Sequence, residues 1–223
     1  MSWLHRVLGR DGTSQLEVDA NYFAAAVRVK PIVYGALGHY RVNHRCALVA
    51  AQAANSRLFE VRNPGPNLIV PTRLVIKWFQ TAAHTAAIED SLDVFKATSF
   101  SAVDTTNTVT PVASVKRASM AAAPGAALIR GVTIAGVAAG MTGGSLVKDG
   151  GAIGQTPLWL TLAFADPAQR IAVLTDNFDD VNGTHPFVLA TNEGIEIENR
   201  VLLGAAAGSS VYIDFSWAEV TSY

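Results

Sequence analysis

Val211-Tyr212-Ile213-Asp214-Phe215-Ser216-Trp217-Ala218 puts a large apolar side chain at every second position. Successive side chains of an extended strand point to opposite faces. Val211, Ile213, Phe215 and Trp217 therefore share one face, and Tyr212, Asp214, Ser216 and Ala218 share the other. A period of two over eight residues predicts an amphipathic strand with one face in a core.

The same period continues upstream. After the turn Asn192-Glu193-Gly194, Ile195, Ile197 and Val201 point one way and Glu196, Glu198 and Arg200 the other, so the second face is predicted to be wet. Residues 204–208 read as a small-residue connection, residues 185–190 as a strand, and Leu158-Trp159-Leu160-Thr161-Leu162 as another. In residues 58–62, Phe59 and Val61 alternate with Glu60 and Arg62. The run must then turn at Asn63-Pro64-Gly65-Pro66-Asn67, because proline has no amide hydrogen to give to a ladder. Residues 68–80 carry Leu74, Ile76 and Trp78 against Arg73, Val75, Lys77 and Phe79, which suggests a central strand buried on both sides for part of its length. Residues 92–98 predict a further strand, followed by a Ser/Thr/Asn-rich link over 99–110.

About eight strands result, which suits a jelly-roll-like antiparallel β sandwich, although strand number leaves other sandwich topologies open. The expected class is all-β, with an extended N-terminal arm over residues 1–39 and the sandwich over residues 40–223. Within the arm, the segment around 18–29 fits a helix through Tyr22 to Val27 and a strand through Val27 and Val29 equally well. Residues 118–144 are rich in Ala and Gly, and Gly136 and Gly140 have the spacing of a membrane-helix contact. Pro124 and Arg130 interrupt that run, and Leu128, Val132, Thr133 and Ile134 read better as a strand. Residues 143–154 read as a long mobile loop.

Composition narrows the function. Lys+Arg number 17 and Asp+Glu 18, so no net field draws the chain onto nucleic acid, and direct nucleic-acid binding is not expected. Only 16% of residues are charged, which suits a surface partly covered by neighbouring subunits. No long lipid-spanning block is present, and the start Met1-Ser2-Trp3-Leu4-His5-Arg6 lacks the pattern of a secretory signal, so cytosolic synthesis is the expectation. Cys46 is the sole cysteine, which excludes an intrachain disulfide and a cysteine-based zinc site.

Chemistry-bearing residues form no signature. His5, His39, His44, His84 and His185 lack metal-ligand spacing. Asp176, Asp179 and Asp180 with Asn177 and Asn182 concentrate oxygen donors before Gly183, but without the alternation and closing glutamate of a calcium loop, so a solvated turn is the better reading. The pairs Glu89-Asp90 and Glu196/Glu198 are read as solvated, the second on an exposed strand face where nothing raises a carboxyl pKa. No nucleophile elbow or phosphate-binding glycine loop is found. Asn182-Gly183-Thr184 is a chance glycosylation triplet, and Trp78, Trp159 and Trp217 are expected in the core. No catalytic, cofactor-binding or metal-binding residue is assigned.

Three stretches resemble a group of tailed-bacteriophage virion proteins of jelly-roll type: His185-Pro186-Phe187-Val188-Leu189-Ala190, Asn192-Glu193-Gly194-Ile195, and Phe215-Ser216-Trp217-Ala218-Glu219-Val220. Leu58-Phe59-Glu60-Val61-Arg62-Asn63-Pro64, Leu68-Ile69-Val70 with Arg73-Leu74, and Thr110-Pro111-Val112 with Lys116-Arg117 are similar to the early strand pair and central loop of that group. The resemblance covers roughly residues 40–220 and consists of short strand and turn patterns. It implies a non-enzymatic structural protein of the virion, made in the host bacterial cytoplasm. Capsid decoration or cementing is the first expectation, with the major capsid protein as partner, a homotrimeric state, no cofactor and no membrane. A tail, baseplate or fibre station is the alternative, with residues 143–154 or 176–184 binding a host glycan. A dispersed enzyme site involving Asp179 or His185 is the third and least supported reading.

Overall fold

A computed structural model describes residues 39–84, 87–102, 104–106, 129–131, 140–141, 143–160, 171–176, 178, 187–203 and 208–221, together with four two-residue strands nearer the N-terminus. The chain divides into two compact units, Met1–Val33 and Tyr34–Tyr223. In the first, β1 (Val7–Leu8) pairs antiparallel with β2 (Gln15–Leu16), and β3 (Val18–Asp19) with β4 (Ala24–Ala25). Val27 and Val29, on which the strand reading of that segment rested, lie outside the described residues.

The second unit contains β5 (His39–Leu48), β6 (Ser56–Arg62), β7 (Leu68–Gln80), β8 (Ile88–Ala102), β9 (Ile129–Gly131), β10 (Ser145–Lys148), β11 (Gly154–Leu160), β12 (Ile171–Asp176), β13 (Gly194–Asn199) and β14 (Ser209–Val220). No helix occurs among the described residues, and every pairing is antiparallel. One sheet has the order β12-β7-β14-β5. The other has the order β10-β8-β13-β6-β9, with β11 also on β8. β10 and β11 lie end to end along one edge of β8, and the residues between them bulge outward from Asp149, whose N–H donates to Lys96, to Ile153, whose N–H donates to Val94. Consecutive strands change sheets at most steps, from β5 to β6, β7 and β8, and again from β12 to β13 and β14.

The two sheets pack face to face as a β sandwich around one apolar cluster. Trp217 and Phe215 of β14, Trp78 and Ile76 of β7 and Tyr40 of β5 face Phe59 of β6, Ile195 and Ile197 of β13 and Leu92 and Val94 of β8, all buried. Trp217 stacks between its neighbours, 5.5 Å from Tyr40 and 5.5 Å from Phe215 between ring centroids. Such rings contribute through area and through favourable ring geometry. Across the two sheets, His44 stacks on Phe59 at 5.7 Å.

Register shifts occur in three strand pairs, and those in β6 and β7 shape the core strands. Leu58 is the extra residue where Ile197 pairs with Phe59 and Glu198 with Arg57, so the consecutive Leu58 and Phe59 are both buried. Thr72 is the extra residue where Ser216 pairs with Arg73 and Trp217 with Pro71, and this break in the ladder admits a proline in an interior strand.

The turn after β6 is organised by Asn63, whose side-chain amide donates to the carbonyls of Asn67 and Leu189 at 2.8 Å each and whose Oδ1 accepts the Gly65 N–H at 2.8 Å. The Asn192-Glu193-Gly194 turn docks beside it. Asn63 N–H donates to the Glu193 carbonyl, and Asn192 N–H donates to the Asn63 carbonyl, both at 2.8 Å. Asn192 has φ 69°, a left-handed conformation that Asn tolerates. A Cβ at Gly194 would sit 1.9 Å from the Val61 carbonyl oxygen, so only glycine lets β13 enter between β6 and β8.

The C-terminal strand, the central placement of Leu68–Gln80 and the burial of Trp78 and Trp217 match the sequence reading. Other expectations are corrected. The loop expected at 143–154 contains β10 and the start of β11, because its residues complete the free edge of β8. The link expected from residue 99 is strand to Ala102. Of the strand expected at 185–190, residues 187–190 form only one bridge, Leu189 with Ile69. β13 ends at Asn199, short of Val201, and its expected wet face is buried. β12 was not anticipated. Of the strand expected within 128–134, only Ile129–Gly131 falls among the described residues.

Alternate burial makes the two faces respond differently to truncation. Trp217→Ala is expected to destabilise by about 3–5 kcal/mol, whereas Val173→Ala on exposed β12 should cost below about 1 kcal/mol. Urea unfolding of the two variants checks the contrast, and similar losses would count against it.

Candidate functional site

The two sheets present contrasting outer faces. On the β12-β7-β14-β5 sheet, the residues alternating with the core form cross-strand rows. Tyr212 lies opposite Arg45 on one side and Lys77 on the other, and Asp214 lies opposite Asn43 and Val75. Val173 and Ile171 of β12 extend these rows beside Lys77 and Phe79. An open groove of about 970 Å³ runs over this face, lined by Arg41, Arg45, Arg73, Lys77, Tyr212 and Asp214 among others.

The groove gathers four cations around one carboxylate. Asp214 accepts from Arg41 Nε at 2.6 Å and from Arg41 Nη2, and Arg73 Nη1 lies 3.5 Å away. A guanidinium fork matches a carboxylate in this two-pronged way. Arg45 stands over the Tyr212 ring, 5.3 Å from its centroid, and Phe79 meets that ring edge-on at 5.3 Å and 83°. Among the described residues neither Arg45 nor Lys77 meets a carboxylate. Tyr212 is 41% exposed and Val173 55% exposed, so apolar and cationic groups share the surface.

On the other sheet, polar residues are buried. Glu196 lies directly opposite Glu60, and Glu198 directly opposite Asp93, with all four side chains buried. Like charges facing each other across strands are unfavourable. Lys148 donates to Glu198 at 2.6 Å and stands 4.3 Å from the Phe95 centroid, and Arg57 reaches Glu60 at 3.3 Å. Arg57 also donates to the carbonyls of Met141 (2.9 Å) and Gly143, while Gly143 N–H donates to Asp104 at 3.0 Å. Asp93 accepts from Ser91 Oγ at 2.6 Å. Burial pushes the Glu196 carboxyl up to about 7, with Glu198 and Glu60 adding to the rise and Lys148 and Arg57 opposing it. The sequence reading placed Glu196 and Glu198 in solvent with nothing to raise a pKa. The structure corrects this, because covering that face removes the water that would stabilise the charge.

Glu89 is exposed, but Asp90 is buried and accepts the N–H groups of Ser91 (2.8 Å) and Val201 (2.9 Å). Burial raises its carboxyl to about 6 despite those bonds. It ties β8 to the end of β13. His39 bonds Thr72 Oγ1 at 2.9 Å, His84 bonds Ser209 Oγ at 3.2 Å, and burial lowers the pKa of both. Cys46 is buried, which pushes its thiol up to about 12 and leaves it inert. No cluster able to hold a metal ion is found among the described residues. His5, Asp179, Asp180, His185 and the 182–184 triplet lie outside them, as does the side chain of Trp159. The groove was missed by sequence reading because its cations come from two strands, β5 and β7, its Tyr212 and Asp214 come from distant β14, and no linear motif joins them.

The Glu196 shift sets a pH dependence. A carboxyl raised from 4.5 to about 7 contributes stability that is fully present below 4.5 and lost as pH rises through 7. Glu196→Gln is therefore expected to stabilise the fold by roughly 2–3 kcal/mol at pH 8 and to change little at pH 4.5. Urea unfolding of both proteins at the two pH values measures this, and a larger gain in acid would reverse the assignment.

No helix among the described residues is long and apolar enough to cross a membrane. No model of a known protein family matches this chain, and no curated protein is significantly similar to it.

Proposed function

We propose that this chain is a non-enzymatic structural protein of a tailed-bacteriophage particle, acting as a capsid decoration or cement protein. The observation that carries the reading is the strand order, β12-β7-β14-β5 against β11/β10-β8-β13-β6. This order, with strands passing from sheet to sheet along the chain, supports a jelly roll of eight principal strands, an architecture that viral capsid domains use. The resemblance of the Asn192-Glu193-Gly194 turn and the Phe215–Val220 segment to phage virion proteins points the same way. The broad outward face of β12-β7-β14-β5 is suited to contact with another protein.

In this role the sandwich sits on the shell as a homotrimer against the major capsid protein, with the N-terminal segment reaching neighbouring subunits. Stabilisation comes from area buried across many subunit contacts. A tail or baseplate station is the second reading. For the glycan-binding alternative, the loop at 143–154 is shortened to residues 149–153 between two strands.

Adding the purified chain to shells that lack it, followed by sedimentation and electron microscopy, tests the role. The full chain is expected to bind the shell and raise its thermal resistance, whereas a chain truncated through Gly38 should fold and fail to incorporate. Normal incorporation of the truncated chain, or no binding by the full one, would contradict the proposal.

A further inference from the structure

We propose that the outward face of the β12-β7-β14-β5 sheet docks an acidic segment of a partner protein, whose carboxylates meet Arg45 and Lys77 while its apolar side chains lie on Tyr212, Phe79 and β12. This rests on the assembly role above and specifies the chemistry of the contact.

Asp214 displays the chemistry that the face favours, since one carboxylate is already held between Arg41 and Arg73. Two residues along β14, Arg45 and Lys77 flank Tyr212 in an equivalent cross-strand row that has no acid among the described residues. Neighbouring strands lie roughly 4.8 Å apart, so the two cations rise about 10 Å from each other on either side of an exposed ring. That spacing is bridged by two long acidic side chains four residues apart in an extended segment, with the apolar residue midway between them on the same face. A groove of about 970 Å³ holds a stretch of chain and is far larger than a single ion requires.

The sequence weighs against other occupants. The first unit, Met1–Val33, carries Arg6, Arg10, Arg28 and Lys30 against Asp11, Glu17 and Asp19, so it is not an acidic ligand for this face. In a second copy, Glu60, Asp93, Glu196 and Glu198 are buried, and the exposed Glu89 and Asp149 stand singly in separate segments, so the described residues of the sandwich offer no extended acidic run. Nucleic acid would need a longer cationic track on a protein whose net charge is −1. A partner protein with an exposed acidic and apolar segment is the remaining fit.

Fluorescence anisotropy with the full chain tests this, using a labelled peptide that repeats Glu-Ser-Leu-Ser, which in extended form puts glutamate and leucine on one face, and, in a second arm, labelled oligothymidylate of equal charge. The peptide is expected to bind, more weakly as salt rises, and to lose roughly tenfold or more in affinity in the Arg45→Glu/Lys77→Glu variant. Asp149→Lys, outside the groove, should bind as the unaltered chain does. If the double reversal does not fold, Arg45→Gln/Lys77→Gln replaces it, with a smaller loss expected. Absence of peptide binding at low salt, equal affinity in the groove variants, or preference for oligothymidylate would overturn the proposal. Normal shell incorporation by a groove variant that has lost peptide binding would overturn this contact and leave the assembly role standing. Peptide binding by a chain that never joins the shell would do the opposite.

Discussion

Everything in the sandwich depends on β14 satisfying two hydrogen-bond ladders and one core face at the same time. All twelve of its residues pair with β7 along one edge and ten of them with β5 along the other, while Val211, Ile213, Phe215 and Trp217 enter the interior. A register slip of one residue would drive Tyr212 and Asp214 inward and the two large rings outward. The partners of β14 lie more than a hundred residues earlier in the chain, as the Arg41–Asp214 pair illustrates with a separation of 173. A fold built on such distant pairings must close long loops before its core forms, which makes folding slow compared with helical proteins of this size.

The same sandwich treats its two outer surfaces in opposite ways. Over β6, β13 and β8 the polar residues are covered, so carboxylates sit side by side with fewer cations than they need, and part of the fold's stability is given up there. Over β7, β14 and β5 the polar residues stay open, and cations outnumber acids. A chain whose overall charge is close to neutral thus carries a locally positive, partly apolar surface. Net composition describes the long-range field, whereas recognition at contact distance depends on which side chains the register brings into one row.

Much of the fold was legible in the sequence. Alternation in residues 211–218 and 74–79 is unambiguous because Val211, Ile213, Phe215 and Trp217, and likewise Leu74, Ile76 and Trp78, form one apolar face. Asn63-Pro64-Gly65-Pro66-Asn67 could only turn. The edge strands were harder to read. Ser145–Lys148 is short and bounded by glycines, and Ile171–Asp176 is barely buried, so neither has a strong burial pattern to leave in the sequence. Glu196 and Glu198 misled for a different reason. A period of two separates the faces of a strand, but it does not tell which of them further chain will cover. The groove, assembled from residues 41–45, 73–79 and 210–214, exists only once the register is set, and no local pattern announces it.

Native-state hydrogen exchange read strand by strand is the most direct test of the role given to β14. Amides of Val211 to Trp217 and of Leu74 to Trp78 are expected to exchange only through global unfolding, more slowly than those of the edge strands β5 and β12. Exchange in β14 as fast as in β12, with both opening well below the global unfolding energy, would contradict a sandwich held together by its C-terminal strand.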